Sequence, residues 1–195
     1  MKLVTSTQIL SAALLSLSLA ACGGGTATSG SVGGTVTGLN SGTSVTLQNN
    51  GADNITMSSN TAFTFPTQIA NLSPFSVTVM TQPLGETCSV TNGSGVIPTD
   101  GTTVNNVAVT CALNASVGGT VTGLAPGTSV TLSSGAGTQA TIDQNGQFAI
   151  AGLLPAGTAY TVSVTTQPAV GTCSVTSPSG TITSGVESMV TVSCQ

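Results

Sequence analysis

Five cysteines and five carboxylates are the side chains of this 195-residue chain whose types could do covalent, metal or acid–base chemistry. They are Cys22, Cys88, Cys111, Cys173 and Cys194, with Asp53, Glu86, Asp100, Asp143 and Glu187. There is no histidine, and Lys2 is the single basic residue. A serine or cysteine nucleophile needs a neighbouring His or Lys to activate it, and beyond Lys2 near the N-terminus the chain has neither. A glycosidase needs a matched carboxylate pair, but none of the five recurs at its matching position in the internal repeat described below. Zinc sites favour four Cys/His ligands at short local spacings, and these cysteine spacings are long. Asp143-Gln-Asn145-Gly146 is a fragment of a calcium loop without the further oxygen ligands and terminal Glu such a loop requires; it reads as a hairpin turn. Gly33-Gly34 and Gly118-Gly119 precede strands and lack the lysine of a phosphate cradle. No catalytic residue, metal ligand or cofactor is therefore expected, and the chain is not expected to be an enzyme.

The odd cysteine points to export. Met1-Lys2 is a short positive start, and Ile9 to Ala21 is rich in Leu, Ala and Ser with no charge. That is the layout of a secretory signal, and it is too short and too Ser-rich for a membrane span. Leu19-Ala20-Ala21-Cys22 resembles the lipobox of bacterial lipoproteins. The resemblance implies removal of residues 1–21 and acylation of Cys22, with several acyl chains anchoring the new N-terminus. One chain alone binds a membrane only marginally, at about 0.8 kcal/mol per buried CH₂. Ordinary cleavage after Ala20 is the competing reading, with Ser18 and Ala20 as the small pair. Acylation is favoured because it accounts for the unmatched cysteine. Gly23, standing where Asp would retain a lipoprotein at the inner membrane, resembles outer-membrane sorting. The expected location is thus the cell envelope, at the outer membrane, tethered through lipid.

Loss of the leader removes Lys2. With five carboxylates and no base left, the formal side-chain charge becomes −5. Nucleic-acid binding depends on Lys and Arg neutralising phosphates, so it is excluded. Steering to anionic lipid and Arg clamps on phosphate or carboxylate are excluded for the same reason.

The body is a tandem duplication. Ser31 to Leu39 recurs unchanged as Ser116 to Leu124, and the offset of 85 continues through Phe63/Phe148, Thr81-Gln-Pro83/Thr166-Gln-Pro168 and Cys88/Cys173. It slips to 83 at Cys111/Cys194. The expected organisation is a tether over 22–30, a first unit over 31–111, a link over 112–115 and a second unit over 116–194. Apolar residues alternate with Thr and Ser in short runs such as Val45-Thr-Leu47 and Phe75-Ser-Val-Thr-Val79, which puts one face inward. Gly and Asn mark turns between them. Seven strands are predicted in the first unit, at about 32–39, 44–49, 54–58, 62–66, 75–82, 87–96 and 104–111. No helical spacing occurs beyond the leader. The fold class expected is all-β, two small antiparallel sandwiches in tandem.

Cys88 would open one strand and Cys111 close its partner, so the two can meet in an antiparallel pair; Cys173 and Cys194 repeat the arrangement. An exported chain meets an oxidising compartment where such pairs persist as disulfides. A loop of this size gives roughly 3 kcal/mol in the chain-entropy model, which matters for a small core. Phe63, Phe65 and Phe75 correspond to Phe148, Ile150 and Tyr160; apolar character is kept in both copies, so these residues are expected in the core.

Gly34-Thr-Val36, Gly42, Val45-Thr-Leu47, Asn60, Phe63-Thr-Phe65, Leu72 and Phe75 to Val79 resemble the carboxypeptidase-regulatory-like and Cna-B-like, immunoglobulin-like sandwiches of bacterial surface proteins. In the second copy Asn145-Gly-Gln-Phe148 and Tyr160-Thr-Val-Ser-Val164 match better. The likeness covers about the first 50 residues of each copy and departs at the cysteine-bearing hairpin. The Lys–Asn crosslink of some Cna-B-like domains does not carry over, because the mature chain has no Lys. The resemblance implies a structural, adhesive or protein-interaction role on the envelope, with a protein or glycan partner and no catalysis. A carbohydrate- or calcium-dependent accessory module is the alternative.

Overall fold

The computed structural model describes residues 28–135 and 137–195. The leader, Cys22 and most of the expected tether lie outside them. All regular structure among the described residues is β. The first unit comprises β1 (Ser29–Gly30), β2 (Val32–Thr37), β3 (Val45–Asn49), β4 (Asp53–Met57), β5 (Ala62–Thr64), β6 (Ile69–Ala70), β7 (Pro74–Thr81), β8 (Glu86–Thr91), β9 (Ser94–Val96) and β10 (Val104–Leu113). The second comprises β11 (Ala115–Thr122), β12 (Val130–Ser133), β13 (Gln139–Ile142), β14 (Gly146–Leu154), β15 (Ala159–Thr161), β16 (Ser163–Thr166), β17 (Cys173–Thr176), β18 (Ser179–Thr181) and β19 (Ser188–Cys194).

Each unit is a sandwich. In the first, the sheet β5-β2-β10-β8 faces the sheet β4-β3-β7-β9. In the second, β14-β11-β19-β17 faces β13-β12-β16, and β15-β18 form a separate ribbon. The period-two pattern does what it predicts: Val45 and Leu47 are fully buried while the alternating Thr46 and Gln48 are not. Two separate apolar clusters result. One gathers residues between Val32 and Cys111, and the other gathers residues between Ala115 and Cys194. Phe63 and Phe65 lie in the first, their rings edge to face at 5.7 Å, a favoured aromatic geometry.

Three details were not anticipated. The predicted strand over 87–96 breaks at Asn92, whose φ is +55°, so that β8 joins one sheet and β9 the other. Ser29 and Gly30, expected in the tether, form β1 against Ala70 and Ile69 of β6. Most consequentially, when each unit is counted from its repeated block, with the two-residue β1 set aside, its first and last strands pair in parallel within otherwise antiparallel sheets: β2 with β10, and β11 with β19.

That parallel pairing explains much of the invariant Ser-Val-Gly-Gly-Thr-Val-Thr-Gly-Leu block. A Cβ on Gly34 would overlap the Val107 carbonyl, and one on Gly119 would overlap the Val190 carbonyl. Only glycine lets the two backbones come this close. Parallel first and last strands also fix polarity. The chain enters a unit at one pole and leaves at the other. Of the expected link 112–115, Ala112 and Leu113 belong to β10, Ala115 opens β11, and Asn114 alone stands between strands. Its N–H donates to the Gly85 carbonyl at 2.9 Å and its side-chain oxygen accepts from the Thr87 hydroxyl at 2.9 Å.

Gly34→Ala is expected to cost about 3 kcal/mol in urea unfolding, because the added methyl meets rigid backbone. Gly51→Ala, at a turn glycine with φ +71° and open space around it, should cost about 1–2 kcal/mol. Equal losses would show that conformation, and not close approach, sets the glycine requirement.

Candidate functional site

The described cysteines pair within each unit. Cys88 bonds Cys111, and Cys173 bonds Cys194, across 23 and 21 residues of sequence. The partners face each other directly in register across β8/β10 and β17/β19, and all four are buried. These are closed staples that leave no thiol for chemistry. Cys22 lies outside the described residues.

The edge strands carrying Cys88 and Cys173 have a second fixture that the sequence did not disclose. Cys88 N–H donates to Gln82 Oε1 at 2.7 Å, and Gln82 Nε2 donates to the Cys88 carbonyl at 3.0 Å. Gln167 does the same to Cys173 at 2.7 and 3.0 Å. A side-chain amide thus takes the place of a neighbouring strand and closes part of an open sheet edge. The signal was the repeated Thr-Gln-Pro, visible in sequence without a role. An analogous clamp fixes the turn after the first strand of each unit. Asn60 accepts from Leu39 N–H and donates to its carbonyl, both at 2.8 Å, and Asn145 does so to Leu124 at 2.8 and 2.9 Å. Among the described residues no buried side-chain nitrogen or oxygen lacks a partner.

The carboxylates are dispersed along the chain, and three of them accept from a single neighbouring residue. Asp53 accepts from Thr67 N–H at 3.1 Å, and Glu187 from the Ser116 hydroxyl at 3.4 Å. Asp100 accepts from Thr102 N–H at 3.1 Å. That backbone bond, and then the Thr102 hydroxyl, hold the Asp100 carboxyl below its ordinary value despite some desolvation. Among the described residues no group of three His, Cys, Asp or Glu could hold a metal ion. Glu86 is the exception in placement. It begins β8 yet is only 2% exposed, its oxygens accepting from Asn40 N–H at 3.1 Å and the Thr43 hydroxyl at 2.7 Å. Burying a carboxylate without such donors would be costly, and an isolated acid in a turn region gave no sequence signal for it.

A shallow cleft of about 470 Å³ follows the turn between β13 and β14 and includes Asp143, Asn145 and Phe148 in its lining. Asn145 spends its amide on Leu124, so among the described residues the calcium-loop fragment assembles no ligand set.

No family model and no curated protein matches this chain. Among solved structures it is similar to a Streptococcal ancillary pilin, at 13% identity over 86% of this chain and 62% of that one, with a TM-score of 0.43. It is similar to the Bacillus anthracis TIE protein at 16% identity, over 86% of this chain and 34% of that one, TM-score 0.36. The major pilin protein T-13 of Streptococcus pyogenes aligns at 11% identity, over 86% of this chain and 97% of that one, TM-score 0.25. The chain therefore spans 62% of the ancillary pilin and about a third (34%) of the TIE protein. Likeness at this level carries no functional argument; the all-β class rests on the strands and cores described above.

Gln82→Leu leaves the Cys88 N–H and carbonyl without their amide, and should cost about 1–3 kcal/mol in unfolding free energy. Faster amide exchange at Cys88 should accompany the loss, and unchanged exchange would remove the clamp. For Asp100 the sign is that of a depressed carboxyl. Its support of the 100–102 turn is complete above the unfolded value and is lost as pH falls through the lower folded value. A carboxyl-carbon NMR titration should place its midpoint below that of an ordinary aspartate; a midpoint at or above it contradicts the turn bond.

Proposed function

We propose that this chain is a lipid-anchored cell-envelope protein whose two sandwiches act as a structural or adhesive display element without catalysis. The observation that carries the reading is the parallel pairing of first and last strands. Each unit takes the chain in at one pole and releases it at the other, and a single residue joins the units. At about 3.3 Å per strand residue, a ten-residue strand such as β10 is about 33 Å long. Two units in series would hold a distal pole on the order of 60 Å from the start of β2. Disulfides and amide clamps supply rigidity where the core is small and aromatic residues make up 3% of the sequence. The acyl group on Cys22 would provide the anchor, and the outer membrane of a diderm bacterium is the location the Gly23 position favours. A protein or glycan partner of the envelope is the expected ligand class. The engaged Asn145 amide counts against the calcium-dependent alternative.

The test joins mass to location. The mature protein should begin at Cys22, carry the added mass of acyl chains and partition with membranes, and it should resist trypsin even when reduced and unfolded. Cys22→Ser should abolish the added mass and the membrane partition together. A wild-type chain that still begins at Met1, or that trypsin cuts internally, would overturn the reading.

A further inference from the structure

The two units differ at one pole in the group that meets a turn they share. In the first, Asn40-Ser-Gly-Thr43 is a turn closed by Thr43 N–H on the Asn40 carbonyl at 3.2 Å, with Gly42 at φ +85°. Its outward donors, Asn40 N–H and the Thr43 hydroxyl, hold the two oxygens of the buried Glu86 carboxylate. In the second, Ala125-Pro-Gly-Thr128 repeats the turn, closed by Thr128 N–H on the Ala125 carbonyl at 3.2 Å, with Gly127 at φ +75°. Pro126 suits the second position of such a turn and Gly127 its third. The backbone N–H and the threonine hydroxyl are therefore kept. The position matching Glu86 is Gly171, which has no side chain to offer. Nor could it gain one easily: its φ is +86°, and a Cβ there would meet the backbone oxygen of Gln195. Ala125 and Thr128 are half-buried and Gly171 is exposed, so the position can be reached from solvent. The Thr128 hydroxyl meets the Ala125 carbonyl at 2.7 Å, just as the Thr43 hydroxyl lies 2.9 Å from the Asn40 carbonyl, so what the second unit lacks is the acidic partner and not the turn contact.

We propose that Ala125 N–H and the Thr128 hydroxyl form a docking niche for a carboxylate from outside the chain, at the pole of the second unit farther from the N-terminus. The first unit shows which group these donors hold, because its own Glu86 occupies the equivalent position. The ligand is a peptide carboxylate, from an acidic side chain or from a chain end. With no cation nearby the niche selects by paired hydrogen bonds, so single-carboxylate affinity is weak and a partner must add contacts of its own. Hydrogen bonds to a charged acceptor are the stronger class. The inference holds whether or not Cys22 is acylated.

The test is a titration of the ¹⁵N-labelled full chain in non-ionic detergent with sodium acetate, at constant ionic strength against chloride. A saturable shift of the Ala125 amide is expected, with the Asn40 amide unmoved because Glu86 already fills its niche. Thr128→Val should weaken the acetate response about tenfold, the loss of one charge-assisted bond. Glu86→Ala should open the first niche and make Asn40 titrate in its turn; Thr128→Val keeps the proposal testable if that variant does not fold. An acetylated, amidated tripeptide bearing one glutamate and an acetylated dialanine with a free C-terminus separate side-chain from chain-end carboxylates. A response to either supports peptide docking, and a response to acetate with none to both overturns it. Equal shifts with chloride, or parallel responses of Asn40 and Ala125 in the wild type, would also bring the niche down.

Discussion

Everything in this architecture depends on how closely β2 approaches β10, and β11 approaches β19. The carbonyls of Val107 and Val190 occupy the space where a side chain on Gly34 or Gly119 would begin. A parallel pair of first and last strands can then sit at the centre of each four-stranded sheet, with β5 or β14 on one side and β8 or β17 on the other. From this contact follow the opposite poles of entry and exit, the near-continuous passage from β10 through Asn114 into β11, and the repetition of one unit after another.

A chain with a single basic residue must satisfy most of its polar groups by other means than ion pairs. It does so with neutral amides and hydroxyls. Asn60 and Asn145 each close both polar groups of a turn residue, and Gln82 and Gln167 each close both polar groups of an edge cysteine. Such bonds contribute about 0.5–1.5 kcal/mol each, and unlike surface salt bridges they do not weaken through screening by salt. The one buried carboxylate, Glu86, is held by the same kinds of donor.

Duplication makes the two units controls for one another. Shared features — the glycine block, the amide clamps, the cross-strand disulfides — belong to the fold. Features present once belong to position. Glu86 meets its turn at the pole adjoining the second unit, while the matching position of the second unit is Gly171, which has no side chain. The edge strands differ as well: Pro66 follows the short β5, whereas β14 runs on to Leu154 with a bulge against β11 near Gly152. Bulges and prolines are both ways to blunt an edge.

The sequence by itself determined the duplication, the β class, the spans of most strands and the residues facing the core. These follow from local rules: a side-chain period of two, turn chemistry at Gly and Asn, and simple composition. The matched cysteine pairs were legible because spacing and repetition pointed the same way. Tertiary structure alone decided that β2 lies parallel to β10, that the strand at 87–96 divides between sheets, that Gln82 guards the Cys88 edge, and that Glu86 is buried. Those outcomes join groups from separate strands and loops, such as Asn40 and Glu86, 46 residues apart. No local pattern encodes which backbone donor a side chain will meet once distant strands have paired.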